Sequence, residues 1–302
     1  MRVFDAAATR ERLPFARLVE ALAAAVARLA AGAIVAPERL VLPLADGARY
    51  LVMPAADAQL AVAKLITLHP DNAARGLPAI RGSVKVADAV TGEALAVLDG
   101  PTVTARRTAA LTLLGLRTLR SGALGRAVLV GTGAQAREHA LALHEAFGAR
   151  LDVVGRDVGR TAALCADLAA LGIDARPCLD DAAAADAFGH ADAVVTLTSS
   201  ATPVLPDALP AAATIVAVGA YTPSMAEVPP ALVRARHVVV DTIAGARHEA
   251  GDLLQAGVDW ARVRPLADCL GEAAPTQPVL FKTVGHAAWD LAAARVALGL
   301  DV

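Results

Sequence analysis

The first third of the chain contains apolar residues in two kinds of pattern. After Pro14, the apolar positions of FARLVEALAAAVARLAAG recur with the period of a helix, which predicts a helix that ends at Gly32. Short apolar runs follow in ERLVLPL, RYLVMPA and LAVAKLITL and are typical of strands, and VKVADAVTGEALAVLDG predicts a hairpin that turns at Thr-Gly. This region is therefore expected to form a mixed α+β domain with antiparallel strands.

The pattern changes after a long helix predicted in TARRTAALTLLGLRTL. Beyond it, RAVLVGTG, LDVVGR, DAVVTLT, ATIVAVGA and HVVVDTI are apolar strand segments, and helical segments such as AQAREHALALHEAF and GRTAALCADLAALG lie between them. Alternation of strands and helices predicts a doubly wound parallel sheet. The expected fold class is α/β, with the parallel sheet accompanied by the smaller α+β domain.

We place the domain boundary near residue 116, so that residues 1–116 form the α+β domain and residues 117–291 form the parallel-sheet domain. The final helical segment, AAWDLAAARVALGL, follows the last strand and could pack against either domain. The chain has 302 residues, which is enough for two domains of ordinary size.

Composition excludes several classes of function. The net charge of −2 provides no general attraction to nucleic acid or to an anionic membrane, and the apolar runs are too short to cross a bilayer. The three cysteines form no CxxC pair, and the seven histidines form no HExxH arrangement, so we expect no disulfide framework and no metal site. The charged segment MRVFDAAATRERLPF is unlike a signal peptide, and the expected location is cytoplasmic.

A glycine-rich loop follows the first strand of the predicted parallel sheet. The sequence VLVGTGAQA contains the pattern G-x-G-x-x-A at Gly131, Gly133 and Ala136, between a strand and a helix. Such glycines permit a tight turn and close approach of a pyrophosphate to the helix N-terminus. The alternative is an ordinary tight turn without a ligand. The candidate cofactor-binding residues in this loop are Gly131, Thr132, Gly133, Ala134 and Gln135.

The end of the next strand distinguishes NAD from NADP. An acidic residue there suits a ribose 2′-hydroxyl, whereas arginine suits a 2′-phosphate. In LDVVGRDVGR the strand is expected to end at Gly155, with Arg156 next and Arg160 one turn further on. NADP(H) is therefore favoured and NAD(H) remains possible, because Asp157 lies close by. The alternative is that both arginines belong to a solvated helix start.

The chain has only three lysines, and Lys64 lies within the apolar run AVAKLITL. A buried ammonium is costly unless an anion pairs with it, so Lys64 either reaches the surface or faces an anionic ligand. Other cations occur in similar surroundings, namely Arg39 in PERLVLPL and the pair Arg106–Arg107 in TARRTAALTL. Together they indicate a receptor for a small carboxylate, although each is also explicable as surface charge.

Polar residues also follow the later strands. Thr198 and Ser199, in TLTSSATPV, could contact the cofactor through a hydroxyl or a backbone N–H, and ordinary polarity at a strand end is an equal alternative. Lys282, in FKTVGH, is expected to serve only the surface.

Seven motifs in order resemble one known family. They are PERLVLPL with RYLVMPA, AKLITLHPDN, VADAVTGEALAVLDG, TARRTAA, GTGAQA, GAYTPSMAEV and FKTVGHAAWDLAAA. The chain thereby resembles the ornithine cyclodeaminase/μ-crystallin family over nearly its full length. The resemblance implies a Rossmann-type second domain and a homodimer formed through the N-terminal domain. It also implies that the last helix, residues 292–302, returns to complete the first, substrate-binding domain.

The resemblance further implies an active site between the domains, where a nicotinamide faces a small substrate derived from an amino acid. Residues at the positions of Arg39, Lys64 and Arg107 would hold the substrate carboxylate, so that Lys64 awaits the charge of a ligand and not of the protein. Lys64 could also orient the reacting imine, and desolvation should lower its pKa while the site is empty. Thr283 and Gly285 lie in the segment expected near the nicotinamide, Thr283 as a cofactor-binding and Gly285 as a substrate-binding residue.

One position departs from the pattern of the cyclodeaminases in this family. Where they carry an aspartate that handles protons, this chain has Tyr221, a poor general base near neutral pH. Reduction of a preformed cyclic imine needs fewer proton transfers, so the expected substrate is a small cyclic imino acid and Tyr221 would wall the pocket or donate a hydrogen bond. The alternatives are an ornithine cyclodeaminase, an enzyme of the alanine dehydrogenase type, and an NADPH-dependent binding protein.

Overall fold

The structure, a computed structural model, describes residues 1–301, which divide into two compact units. Unit 1 contains residues 1–111 and the chain from residue 286 onward, and unit 2 contains residues 112–285. The division therefore falls at residue 111, earlier than the expected residue 116. The segment that returns to unit 1 starts at His286, earlier than the expected residue 292, because His286 caps the last helix. Val302, the end of the range 292–302, lies outside the described residues.

Unit 1 is built on a six-stranded sheet. Its elements up to the boundary are β1 (Arg2–Val3), α1 (Ala6–Glu11), α2 (Phe15–Ala30), β2 (Leu40–Pro43), β3 (Arg49–Ala56), β4 (Leu60–Leu68), β5 (Ile80–Asp88), β6 (Ala94–Asp99) and α3 (Gly100–Leu119), which continues into unit 2. Short 3₁₀ turns occupy Ala45–Gly47 and Pro70–Arg75.

The strand order in unit 1 is β1-β6-β5-β4-β3-β2, and all neighbours are antiparallel except β1 and β6. Strand β4 alternates strictly, with Leu60, Val62, Lys64 and Ile66 buried on one face. The predicted hairpin is formed by β5 and β6 and turns at Thr91-Gly92, where glycine adopts a positive φ of 76°.

Unit 2 is built on an eight-stranded sheet. Its elements are β7 (Arg126–Val130), α4 (Ala136–Phe147), β8 (Arg150–Val154), α5 (Val158–Ala169), β9 (Ala175–Cys178), α6 (Asp181–Gly189), β10 (Ala193–Thr196), β11 (Thr214–Ala217), α7 (Pro230–Arg234), β12 (His237–Val240), α8 (Ile243–Glu249), α9 (Gly251–Ala256), β13 (Arg264–Pro265), a 3₁₀ turn (Leu266–Cys269) and β14 (Val279–Lys282). Helix α10 (Ala287–Leu298) follows and belongs to unit 1.

All strand pairs in the second sheet are parallel, in the order β13-β12-β14-β11-β10-β7-β8-β9. The predicted fold class, a doubly wound parallel sheet with a mixed α+β unit, is confirmed. Strand β14 was not predicted, although it lies between β11 and β12.

In unit 1, helices α2 and α10 pack against each other, and α10 also lies on strands β3 and β4. Ten of the twelve residues of α10 are buried, which explains why its sequence is almost entirely apolar. Asp57, before β4, ties this layer together by accepting from Arg28 of α2 and Arg295 of α10.

Residues 1–301 lack two kinds of feature. No helix in this range has both the length and the apolar character needed to span a membrane. Likewise, no cluster of three or more histidine, cysteine, aspartate or glutamate side chains within the described chain is arranged to hold a metal ion.

Candidate functional site

Lys64 is buried in unit 1 and forms an ion pair with Asp290. The Lys64 Nζ lies 2.7 Å from Asp290 Oδ2, and the exposed fractions of the two side chains are 3% and 0%. The other carboxylate oxygen of Asp290 accepts a hydrogen bond from Arg107 Nε at 3.3 Å. One carboxylate on α10 therefore joins a lysine on β4 to an arginine on α3.

The environment of Lys64 perturbs its ionisation. Burial lowers the pKa of the ammonium to about 8, the Asp290 carboxylate opposes that change, and the positive charges of Arg107 and Arg39 add to it. The ammonium is therefore charged at neutral pH and loses its proton in mildly alkaline solution, as expected for a desolvated lysine.

Of the two alternatives for Lys64, the structure excludes the one in which the side chain reaches the surface. The expectation that no protein anion pairs with Lys64 is wrong, because Asp290 supplies one. Sequence reasoning missed Asp290, which lies far from Lys64 along the chain. The sequence feature that could have predicted its role is a single carboxylate within the alanine-rich helix AAWDLAAARVAL, because an unpaired charge buried there would be costly.

The remaining cations of unit 1 have different surroundings. Arg106 Nε donates to the carbonyl of Leu13 at 2.7 Å, and its guanidinium lies 3.8 Å from the centroid of the Phe15 ring. These contacts give Arg106 a role in holding α2 against α3. Arg39 is half-buried, precedes β2, and lies close enough to Lys64 for its charge to lower the lysine pKa.

In unit 2, the glycine loop occupies the turn between β7 and α4. Gly131 has a φ of 116°, which L side chains rarely adopt, and a Cβ there would lie 3.0 Å from the carbonyl oxygen of Leu197. A Cβ on Gly133 would meet no atom within 4 Å. The loop is therefore tight at its first glycine and open at its second, which fits a pyrophosphate placed at the start of α4.

The turn after β8 presents arginine. The strand ends at Val154, and Gly155 and the exposed Arg156 follow. Asp157 caps α5 by accepting from the Arg160 backbone N–H at 2.9 Å, and Arg160 Nη2 donates to the carbonyl of Thr132 in the glycine loop at 3.4 Å. The Asp157 carboxylate therefore caps α5, and the Arg160 side chain contacts the glycine loop.

An apolar groove opens beside the same turn. It has a volume of about 630 Å³ and is lined by residues including Val154, Phe188, Leu205 and Leu209. A groove of this size and character suits a flat aromatic ring.

Sequence reasoning missed Glu227, whose buried carboxylate connects the ends of two strands. One oxygen accepts from the backbone N–H and the hydroxyl of Thr198 at 2.6 and 2.8 Å, and the other accepts from the N–H groups of Gly219 and Ala220 at 2.7 and 2.9 Å. The donors of Thr198 that were expected to reach a cofactor therefore serve Glu227. Ser199 beside it is exposed.

Glu227 is itself held by a second buried acid. Asp252 of α9 accepts hydrogen bonds from the backbone N–H groups of Glu227 and Val228. Its other oxygen lies 2.9 Å from Lys282 Nζ, and both side chains have no exposed surface. The expectation that Lys282 serves the surface is wrong, because β14 is an interior strand and its last residue points into the protein.

Asp241, directly after β12, organises the turn after β14. Its Oδ2 accepts from Thr283 Oγ1 at 2.6 Å, from Val284 N at 3.2 Å and from Gly285 N at 2.9 Å. Gly285 has a φ of 84°, so the turn requires the freedom of glycine at this position.

Tyr221 is half-buried in the segment after β11.

Because the strands of unit 2 are parallel, the candidate residues of that unit follow the carboxyl ends of β7, β8, β10, β11 and β14 and share one edge of the sheet. Unit 1 contributes the cations, and its Lys64 and Arg107 meet at Asp290. The structure therefore gathers the predicted site residues into two sets, one in each unit.

A parallel sheet with a glycine loop at the start of its first helix defines unit 2 as a Rossmann-type dinucleotide-binding unit. The model of the ornithine cyclodeaminase/mu-crystallin family matches residues 2–298. The chain belongs to this family, which confirms the resemblance seen in the sequence.

Similar proteins extend over nearly the whole chain. It is 51% identical to Δ1-pyrroline-2-carboxylate reductase 2 of Burkholderia ambifaria, over 97% of this chain and 94% of that protein. It is 50% identical to the Δ1-pyrroline-2-carboxylate/Δ1-piperideine-2-carboxylate reductase of Azospirillum brasilense, over 98% and 94%. The fold matches Thermococcus litoralis Δ1-pyrroline-2-carboxylate reductase in complex with NADH and L-proline, with a TM-score of 0.90, 23% identity and coverage of 99% and 97%.

Proposed function

We propose that the protein is an NAD(P)H-dependent reductase of cyclic ketimines, converting Δ1-pyrroline-2-carboxylate, Δ1-piperideine-2-carboxylate or both to L-proline and L-pipecolate. The observation that carries the proposal is the sequence identity of 51% and 50% to two reductases of these imines over nearly the full chain. The buried cations of unit 1 and the open glycine loop of unit 2 supply the chemistry that such a reaction needs.

The reduction adds a hydride to C2 of the imine and a proton to its nitrogen, so that C=N becomes CH–NH. A bound nicotinamide supplies the hydride. In this proposal Arg39, Lys64 and Arg107 hold the substrate carboxylate, and a protonated Lys64 also orients the imine nitrogen. The fixed positive charge withdraws electron density from the imine and favours attack at its carbon.

Tyr221 favours imine reduction over the elimination of ammonia. A phenol is neutral at ordinary pH and donates a hydrogen bond, whereas it removes protons poorly. Beside a preformed imine, such a donor could contact the nitrogen or bound the pocket. We therefore propose Tyr221 as a catalytic-site residue of the reductase and expect no ammonia release from ornithine.

A panel of cyclic imines tested with NADH and NADPH measures the activity directly, by loss of reduced-cofactor absorbance. Lys64→Met should lose most of the rate, while Lys85→Met, at an exposed position of the neighbouring strand, should keep it. Proline and ammonia formed from ornithine would instead identify a cyclodeaminase. Tight NADPH binding without turnover of any imine would identify a binding protein.

We propose NADP(H) as the preferred cofactor and retain NAD(H) as the alternative. Support comes from Arg156 and Arg160 after β8 and from the use of Asp157 as a helix cap, since guanidinium groups suit a 2′-phosphate. The glycine loop residues 131–135 would hold the pyrophosphate, and the groove beside Val154 would hold the adenine. The double variant Arg156→Ala/Arg160→Ala should weaken NADPH binding at least about tenfold more than NADH binding.

We also propose a homodimer formed through unit 1. Strand β2 is the last strand of its sheet among the described residues, and Leu40, Val41 and Leu42 on it are 54%, 44% and 42% exposed. Exposed apolar edge strands are normally covered, and a second copy would cover this one. Analytical ultracentrifugation should give a dimer, and Val41→Glu should shift it toward monomer.

The proposed working compartment is the cytoplasm. Cys165, Cys178 and Cys269 are free and buried, which suits a reducing environment.

A further inference from the structure

Asp290 joins two of the three cations that are proposed to receive the substrate carboxylate. We propose that Asp290 is a positioning residue of this site, which keeps Lys64 protonated and aligned with Arg107 until the carboxylate of the imino acid arrives. The inference rests on the proposed function, because the ligand that it prepares for is the substrate of that reaction.

The geometry assigns one oxygen of Asp290 to each cation. Oδ2 lies 2.7 Å from Lys64 Nζ, and Oδ1 accepts from Arg107 Nε at 3.3 Å. The exposed fractions of the lysine, arginine and aspartate side chains are 3%, 6% and 0%, so water does little to screen the three charges. Two cations held this close in a dry site repel each other, and a shared carboxylate offsets that repulsion.

Three charged groups of unit 1 act on Lys64. Asp290 comes from α10, Arg107 from α3 and Arg39 from the segment before β2. In the neighbouring strands, Lys64 pairs in register with Met53 and Val84, which are uncharged. Lys85 of β5 is exposed on the other face of the sheet. Asp290 is thus the carboxylate that contacts both Lys64 and Arg107.

This charge balance leaves a role for the ligand. Arg107 meets Asp290 through Nε, whereas the outer amino groups of a guanidinium form the fork that binds a carboxylate with two parallel hydrogen bonds. Lys64 has three N–H donors and uses one position toward Asp290. A monoanionic substrate can therefore join the cations without displacing Asp290, and its charge reduces the remaining excess of positive charge.

The scarcity of lysine makes the ionisation of Lys64 directly measurable. Protein labelled with ¹³C at the lysine ε-carbon gives three signals, from Lys64, Lys85 and Lys282, which can be assigned with Lys85→Arg and Lys64→Arg. A pH titration of the Asp290→Asn variant should show the midpoint of Lys64 lowered by about 1–3 units relative to the unsubstituted protein, because an opposite charge within contact distance has been removed. Addition of L-proline to the unsubstituted protein should raise that midpoint.

Asp57→Asn is the matched control. Asp57 is a fully buried carboxylate of unit 1 that also pairs with two cations, Arg28 and Arg295. Its substitution removes an equivalent charge from a different place, so the Lys64 midpoint should stay where it is. A general loosening of unit 1 would move the midpoint in both variants and would overturn the assignment.

An unchanged Lys64 midpoint in folded Asp290→Asn would also overturn the proposal. If Asp290→Asn does not fold, Lys64→Met/Asp290→Asn decides, because removing the cation together with its carboxylate should recover part of the lost thermal stability. A double variant that is no more stable than the single one would show that Asp290 serves the scaffold and not Lys64. These readouts need no turnover, so failure of imine reduction is recognised separately.

Discussion

Glu227 is predicted to hold the ends of β10 and β11 in place, and Glu227→Gln tests this with almost no change in shape. The carboxylate accepts four hydrogen bonds, two on each oxygen. Glutamine replaces one oxygen by an amino group, which cannot accept. If the amino group faces Thr198, the hydroxyl can turn and accept from it, but the backbone N–H of Thr198 then faces another donor. If the amino group faces the other way, the N–H groups of Gly219 and Ala220 both face a donor, so at least one buried backbone donor loses its acceptor.

The structure sets the size of the effect. A hydrogen bond to a charged acceptor contributes about 1.5–3 kcal/mol, so loss of one should reduce the free energy of unfolding by about 1.5–3 kcal/mol. For a unit the size of residues 112–285, this corresponds to a fall in the melting temperature of roughly 3–12 °C. Because Thr198 and Gly219 lie at the edge where the cofactor is proposed to bind, NADPH binding should also weaken.

Differential scanning calorimetry measures the stability of each unit, and fluorescence titration measures NADPH binding. Thr198→Val is the control, since it removes one hydroxyl without leaving a buried backbone N–H unpaired, and it should cost about 1.5 kcal/mol, the lower end of that range. If Glu227→Gln unfolds within about 1 kcal/mol of the unsubstituted protein and binds NADPH equally well, the carboxylate does not hold these strand ends and the reasoning is refuted.

The other predictions concern the glycine loop and Lys64. Gly133→Ala should leave the melting temperature unchanged, because a Cβ there meets no atom within 4 Å, and should weaken NADPH binding by occupying the space proposed for the pyrophosphate; unchanged binding would contradict that placement. The kcat/KM for an imine should fall as the pH rises above about 8, where Lys64 loses its proton, and Lys64→Met should lack this limb. The free energy of unfolding should rise between pH 8 and 10.5, since unfolded Lys64 keeps a proton there that the folded form has lost, and chemical denaturation at several pH values should show no such rise in Lys64→Met.

The sequence alone determined the elements whose pattern is local. The alternation in β4, the strand–helix alternation of unit 2 and the glycines between β7 and α4 are visible within short windows, because burial of one face imposes a period on neighbouring residues. These patterns were enough to predict the α/β class, the parallel sheet and the cofactor loop. The pattern did not predict β9, β13 or β14, whose segments ARPC, RP and VLFK contain at most three consecutive apolar residues next to a proline or a charge.

Only the tertiary structure decided how the buried charges pair. Lys64 forms an ion pair with Asp290 and Lys282 with Asp252, and Thr198 donates its hydrogen bonds to Glu227. A sequence shows that a charge lies in an apolar run and must be compensated, but the compensating group can come from any element that packs there. Its identity depends on which helix covers which strand, and that is settled by the packing of α10 on β4 and of α9 against the end of β14.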